Sequence, residues 1–192
     1  MPAIHSVAVF CGSASGSNPA FAAAARELGQ GLAASGMRLV YGGGRVGLMG
    51  AVADAVLQAG GDILGVIPEF LTRREVAHTG VALNVTDSMH SRKQLMFAEA
   101  DAFVSLPGGL GTLDETIEII TWRQLGLHDK PIVLCDIAGS TVPLCAAIDA
   151  AIDSGFAAPR ARGLFRVVEG VPALLQCLST LHRAAAVPAD RL

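Results

Sequence analysis

The sequence is short of charge, of aromatic rings and of lysine. Asp, Glu, Lys and Arg make up 16% of the 192 residues, and Phe, Trp and Tyr 5%. Soluble domains average about 25% charged. Lysine occurs twice, as Lys93 and Lys130. There is no run of Lys and Arg, so no nucleic-acid partner is expected. The four cysteines (Cys11, Cys135, Cys145, Cys177) show neither CxxC nor CxxxC spacing. Free thiols are expected, with no zinc or other metal site. No apolar stretch approaches the roughly 18 residues of a spanning helix. The first residues, Met1-Pro2-Ala3-Ile4-His5, lack a basic region and a long apolar core, so no signal peptide is expected. The chain reads as cytoplasmic, with no membrane partner.

What the chain does have is apolar content: 52% hydrophobic residues and a mean hydropathy of +0.50, with a net charge of −3. Such a composition excludes disorder for most of the length. A chain this long buries roughly 70% of its unfolded surface without disulfides. One domain over residues 1–183 is expected, followed by a frayed tail over 184–192.

Short apolar runs alternate with helical patterns. Strands are expected near 4–10, 37–41, 62–67, 81–85, 101–106, 131–136 and 164–168. All are read as buried on both faces. A helix starts after Asn18, an N-cap followed by Pro19, and stops at Gly36. Further helices are expected at about 47–59, 88–99, 112–125, 141–154 and 171–184. This alternation predicts an α/β fold: a doubly wound parallel sheet in a three-layer α/β/α arrangement. Ligands in such folds bind beyond the C-terminal ends of the strands.

Three glycine-rich segments follow strands. The first, Cys11 to Ser17, offers Gly12 and Ser13 to an anion or a ribose; its other reading is a plain turn. The second, Gly42 to Gly50, contains G-x-G-x-x-G at Gly42, Gly44 and Gly47, with Gly43 between. It imitates a dinucleotide fingerprint. The acidic residue of that fingerprint ends a strand, however, whereas Asp62 begins one. A pocket wall is the better reading, and no NAD or other cofactor is expected.

The third segment, Ser105 to Glu115, is the strongest signal. Gly108, Gly109 and Gly111 let a backbone approach a ligand at the start of a helix, where a phosphate fits. It lacks the lysine of a nucleotide triphosphatase loop. Two carboxylates, Asp114 and Glu115, are expected in the helix's first turn. Thr112 and Glu115 have the spacing of a capping box, which gives Glu115 a structural reading. Beside a bound phosphate, Glu115 instead has to face a part of the ligand that is neutral or becomes positive. Both readings stand. The adjacent pair Arg92-Lys93 opens the preceding helix; Arg92 could grip a phosphate or a base, or the pair could be a solvated face. His90 reads as a surface residue and Glu75 as a surface charge within reach of a ligand.

The segments SMHSRKQLM (88–96) and PGGLGTLDE (107–115) resemble the paired signature of the lonely guy family. The likeness extends through VFCGSASG, LVYGGGRVGLMG, GVIPEFL and ITWRQLGLHDKPIVL, over roughly residues 7–180. These proteins are cytokinin riboside 5′-monophosphate phosphoribohydrolases. The resemblance implies a Rossmann-like homodimer that hydrolyses the N-glycosidic bond of an adenosine 5′-monophosphate, plain or N6-substituted. By position, Arg92 and Glu115 match the catalytic pair. Glu75, Lys93, the run Gly108, Gly109, Leu110, Gly111, Thr112, Leu113 and Asp114, and Thr121 match substrate-contacting positions. Asp114 stands where many members have Glu, and Leu110 where Tyr or Phe is common. Such proteins have also been labelled lysine decarboxylases, but neither lysine here has a visible pyridoxal cradle. The alternative to an enzyme is a nucleotide carrier or sensor using the same loops. The helix around Ile117, Ile119, Ile120 and Trp122 is apolar on more than one face, which predicts burial in a homodimer.

Overall fold

The computed structural model describes residues 3–72 and 76–182. Glu75 and the tail over 184–192 lie outside the described residues. Among the described residues seven strands and six helices follow one another: β1 (Ser6–Phe10), α1 (Pro19–Ala34), β2 (Arg38–Tyr41), α2 (Gly47–Gln58), β3 (Ile63–Pro68), β4 (Ala82–Thr86), α3 (Met89–Glu99), β5 (Ala102–Ser105), α4 (Leu110–Gln124), β6 (Ile132–Asp136), α5 (Val142–Asp153), β7 (Arg166–Glu169) and α6 (Gly170–Thr180). A short 3-10 turn, Glu69–Leu71, follows β3, and another, Pro159–Leu164, precedes β7.

All strand pairs are parallel, in the order β4-β3-β2-β1-β5-β6-β7. The chain winds outward from β1 to β4, then returns to the other side of β1 at β5. The fold is therefore a Rossmann-like, doubly wound α/β/α sandwich. Its switch point lies between β1 and β5, where a cleft opens above the strand ends.

Alternation along the strands divides the core in two. Val7 and Val9 face Leu28, Leu32, Val56, Leu174 and Leu178 of α1, α2 and α6. Ala8 and Phe10 face Met96, Phe97, Ile119 and Ile120 of α3 and α4, with Leu144 and Ile148 of α5. Full burial of a leucine such as Leu28 contributes about 1.5–3 kcal/mol. The start of α1 is as expected: Asn18 Oδ1 accepts from the Ala20 N–H at 3.0 Å, and Pro19 occupies the first turn. Gly36, with φ +66°, follows its end.

The edges depart from expectation. β4 and β7 are not buried on both faces; Val85 is 54% exposed and Val167 45%. Each pairs with one neighbour only, and the helical layers pack over the central strands. Among the described residues no helix is long and apolar enough to cross a membrane.

Candidate active site

Three loops meet above the ends of β1, β2 and β5, and Gly12 ties them together. Its N–H donates to the Pro107 carbonyl at 3.1 Å. Its own carbonyl accepts from the Leu48 and Met49 N–H groups at 2.9 and 3.3 Å. A Cβ on Gly12 would lie 2.9 Å from the Ala14 carbonyl oxygen, so no larger residue fits this knot.

The two glycine-led helix starts consequently differ. Two of the opening N–H groups of α2, those of Leu48 and Met49, are already taken by Gly12. Asp62 lies at the far, N-terminal end of β3, with its Oδ2 3.4 Å from Arg38 Nε. Neither feature suits a dinucleotide on the Gly42–Gly47 turn. Helix α4 is open instead. It begins at Leu110 with Gly109 as N-cap, and no side chain caps it. Its helical bonding starts with the Leu113 N–H donating to the Gly109 carbonyl at 3.1 Å.

This start corrects two expectations. The helix begins two residues before 112, so Thr112 is its third residue and Glu115 its sixth. The capping box does not form, and no acidic residue lies in the first turn. The physical reason is that Gly109 supplies the extended N-cap backbone itself and leaves Thr112 inside the helix. The N–H groups of Leu110, Gly111 and Thr112 have no intrahelical acceptor. Together with the helix dipole they suit an anion. Thr116 fixes the helix to the sheet: its hydroxyl donates to the Thr112 carbonyl at 2.6 Å and lies 2.8 Å from the Ser105 hydroxyl.

Arg92 comes from α3. Ser88 caps that helix, accepting from the Ser91 N–H at 3.1 Å. The Arg92 side chain turns inward and is 5% exposed; its Nη2 donates to the Gly42 carbonyl at 3.3 Å. A Cβ on Gly42 would overlap this guanidinium, so glycine is required there by the arginine. His90, the neighbouring residue of the motif, is exposed.

Arg92 and Glu115 line one cleft of about 210 Å³ with Ser13, Gly109, Gly111 and Thr112. A second cavity of about 400 Å³ adjoins it, lined by Gly12 to Gly16, Phe21, Gly108 and Ser140; Ser13 and Gly109 belong to both. Cys11 shows where the charge lies. Burial raises its thiol pKa far above the ordinary value, and the Glu115 carboxylate raises it further. Cys11 is therefore a neutral wall of the cleft beside Glu115.

The expected residues separate into groups. Arg92, Glu115, Ser13, Gly109, Leu110, Gly111, Thr112 and Asp114 line the smaller cleft, and Gly12 and Gly108 line its neighbour. Gly43 and Gly44 line neither. The Gly43 carbonyl accepts from the His78 N–H at 2.9 Å, and Gly44 bridges to Ala77. Lys93 lines neither cavity and pairs with Asp114 and Glu118 at 2.7 and 3.1 Å. Leu113 is exposed on α4 and lines neither of them. Thr121 lies further along α4, its hydroxyl donating to the Ile117 carbonyl at 2.8 Å. Sequence reasoning missed Met49, Leu71 and Met89, which complete the cleft wall. Met89 was discoverable, because it stands three residues before Arg92 on one helix face.

A family model described as "possible lysine decarboxylase" matches residues 49–178. Among curated proteins, cytokinin riboside 5′-monophosphate phosphoribohydrolase LOG7 of Arabidopsis thaliana is 46% identical over 86% of this chain and 76% of its own length. The probable phosphoribohydrolase LOGL9 of Oryza sativa subsp. japonica is 47% identical over 90% of this chain and 76% of its own. Among solved structures, the molybdenum cofactor carrier protein of Chlamydomonas reinhardtii superposes with a TM-score of 0.67 at 21% identity. That match covers 91% of this chain and 95% of the carrier, and bears on the fold alone. With such relatives matched across most of its length, this chain belongs to the lonely guy family, whose curated members are cytokinin riboside 5′-monophosphate phosphoribohydrolases.

Proposed function

We propose that this chain hydrolyses the N-glycosidic bond of adenosine 5′-monophosphates, N6-substituted ones included, to the free base and ribose 5-phosphate. The observation that carries this reading is the meeting of Arg92 and Glu115 in one cleft beside the uncapped start of α4. The smaller cleft falls below the roughly 300 Å³ of an ordinary ligand pocket, so the nucleotide extends into the adjoining cavity. The α4 N–H groups hold the 5′-phosphate.

Breaking C1′–N9 sends the bond's electron pair to the base and builds positive charge on the ribose. The Glu115 carboxylate faces that charge and orients the attacking water. The water oxygen bonds to C1′; its proton passes to Glu115 and from there to the departing base, which restores the carboxylate. Arg92 holds the nucleotide and stabilises the negative charge growing on the base. The placement of Glu115 in the second turn of α4 supports this, since a capping role would draw it back to the backbone.

Lysine decarboxylation does not fit. A pyridoxal enzyme needs a lysine free to form a Schiff base. Burial pulls the Lys93 ammonium down, but its hydrogen bonds with Asp114 and Glu118 outweigh this and hold it above the ordinary lysine value. Lys130 donates to the Phe97 carbonyl at 2.6 Å and sits over the Phe97 ring.

The test is incubation with AMP and with N6-isopentenyl AMP, followed by assay for free base. Glu115→Gln should lower kcat by a factor of at least about 10². A folded variant with full activity would overturn the assignment. Binding without base release over hours would identify a carrier.

Leu110, Leu113 and Ile117 form an exposed apolar stripe on α4, starting at the rim of the cleft. Ile119 and Ile120 of the same helix are buried within the subunit. The stripe continues the site outward, and a second copy of the chain covers it in a homodimer. A monomeric mass by light scattering at micromolar concentration would contradict this. All four cysteines are free thiols, which fits a reducing compartment and supports work in the cytoplasm.

A further inference from the structure

Helices α3 and α4 carry Arg92 and Glu115, which line one cleft. Each of these residues has a charged neighbour in the sequence: Lys93 follows Arg92, and Asp114 precedes Glu115. Successive helical residues point about 100° apart; Asp114 still lines the cleft, whereas Lys93 does not. Lys93 Nζ lies 2.7 Å from Asp114 Oδ2 and 3.1 Å from Glu118 Oε2. Asp114 and Glu118 stand four residues apart on α4. Like charges at that spacing repel unless a cation lies between them.

We propose that Lys93 and Glu118 are positioning residues: clamped with Asp114, they form a strut between α3 and α4 that sets the spacing of Arg92 and Glu115. The proposal rests on the hydrolase reading of that pair and goes beyond it, because Glu118 has no place there and Lys93 was expected on the substrate.

Three observations favour a strut over a phosphate contact. Lys93 lines neither cavity, whereas Arg92 lines the smaller one. Its ammonium has two carboxylates within 3.1 Å, so the cluster carries a net negative charge and repels a phosphate. The Lys93 side chain is 17% accessible and that of Glu118 30%, against 61% for Asp114. Glu118 is thus the better shielded partner and the one whose loss matters more.

A strut and a substrate contact divide differently between kcat and KM. Displacing two groups that act on the reacting atoms lowers kcat; removing a uniform binding contact raises KM. Glu118→Gln and Lys93→Met should each lower kcat about tenfold, with KM for the nucleotide within about twofold of wild type. Lys93→Arg, whose guanidinium bridges both carboxylates, should keep kcat within about twofold. It carries the test if either other variant fails to fold. A tenfold rise in KM with kcat retained in Lys93→Met overturns the proposal, as does a tenfold loss of kcat in Lys93→Arg. A wild type that releases no base overturns the hydrolase reading itself. A wild type that turns over, with both strut variants matching it, overturns the strut alone.

Discussion

Gly42 is constrained by a side chain fifty positions away. Its carbonyl accepts from Arg92, and a Cβ would occupy the space of the guanidinium. Gly42→Ala should therefore dislodge Arg92 while leaving β2 intact. The expected result is a kcat at least about tenfold lower in a protein whose far-ultraviolet circular dichroism is unchanged. Activity equal to wild type would show that Arg92 tolerates displacement. Nothing around Gly42 in the sequence announces this contact, because its turn resembles a dinucleotide loop and Arg92 lies on another helix. Arg92 and Glu115 themselves were legible, since each sits in a motif beside a helix start. Whether Glu115 caps the helix was not, because T-x-x-E is also a capping pattern. Only the backbone at Gly109 shows where the helix begins.

At the scale of elements, α3 is fixed at both ends by the chain's two lysines. Lys93 ties its first turns to α4, and Lys130 donates to the Phe97 carbonyl near its end. His128 belongs to the same corner. Its Nε2–H donates to the Ile119 carbonyl at 2.9 Å, and its Nδ1 accepts from the Lys130 N–H at 3.1 Å. These bonds require the neutral ring, and burial foremost holds the His128 pKa below the ordinary histidine value. The unfolded chain therefore binds its proton at higher pH than the folded one. Stability is fully present above about pH 6.5 and declines as pH falls below it towards the folded value. A His128→Gln variant should lose this part of the acid sensitivity, read as a smaller fall in Tm between pH 7 and pH 5. An unchanged fall would place the sensitivity elsewhere. The elements themselves were legible from alternating apolar runs and from Asn18-Pro19. The half-exposure of β4 and β7 was not, because an edge strand and a central strand can be equally apolar over five residues.

The whole molecule places its apolar surplus in two cores, one on each side of the sheet, and leaves Leu110, Leu113 and Ile117 outside both. Ile117→Asp should shift the light-scattering mass to that of a monomer at concentrations where wild type is dimeric. A dimer that persists would mean that another face joins the subunits. The strand order has a consequence for how the chain acquires its site. β1 pairs with β2 as soon as Arg38 to Tyr41 exist, but its other edge waits for β5, with Val7 opposite Ala102. Until then the Gly12 N–H lacks the Pro107 carbonyl. During synthesis β1 thus stands for nearly half the chain's length with one edge open, a period in which pairing with another nascent chain competes. The cleft cannot form before β5 is made, and truncated chains ending before β5 should aggregate with one edge of β1 exposed.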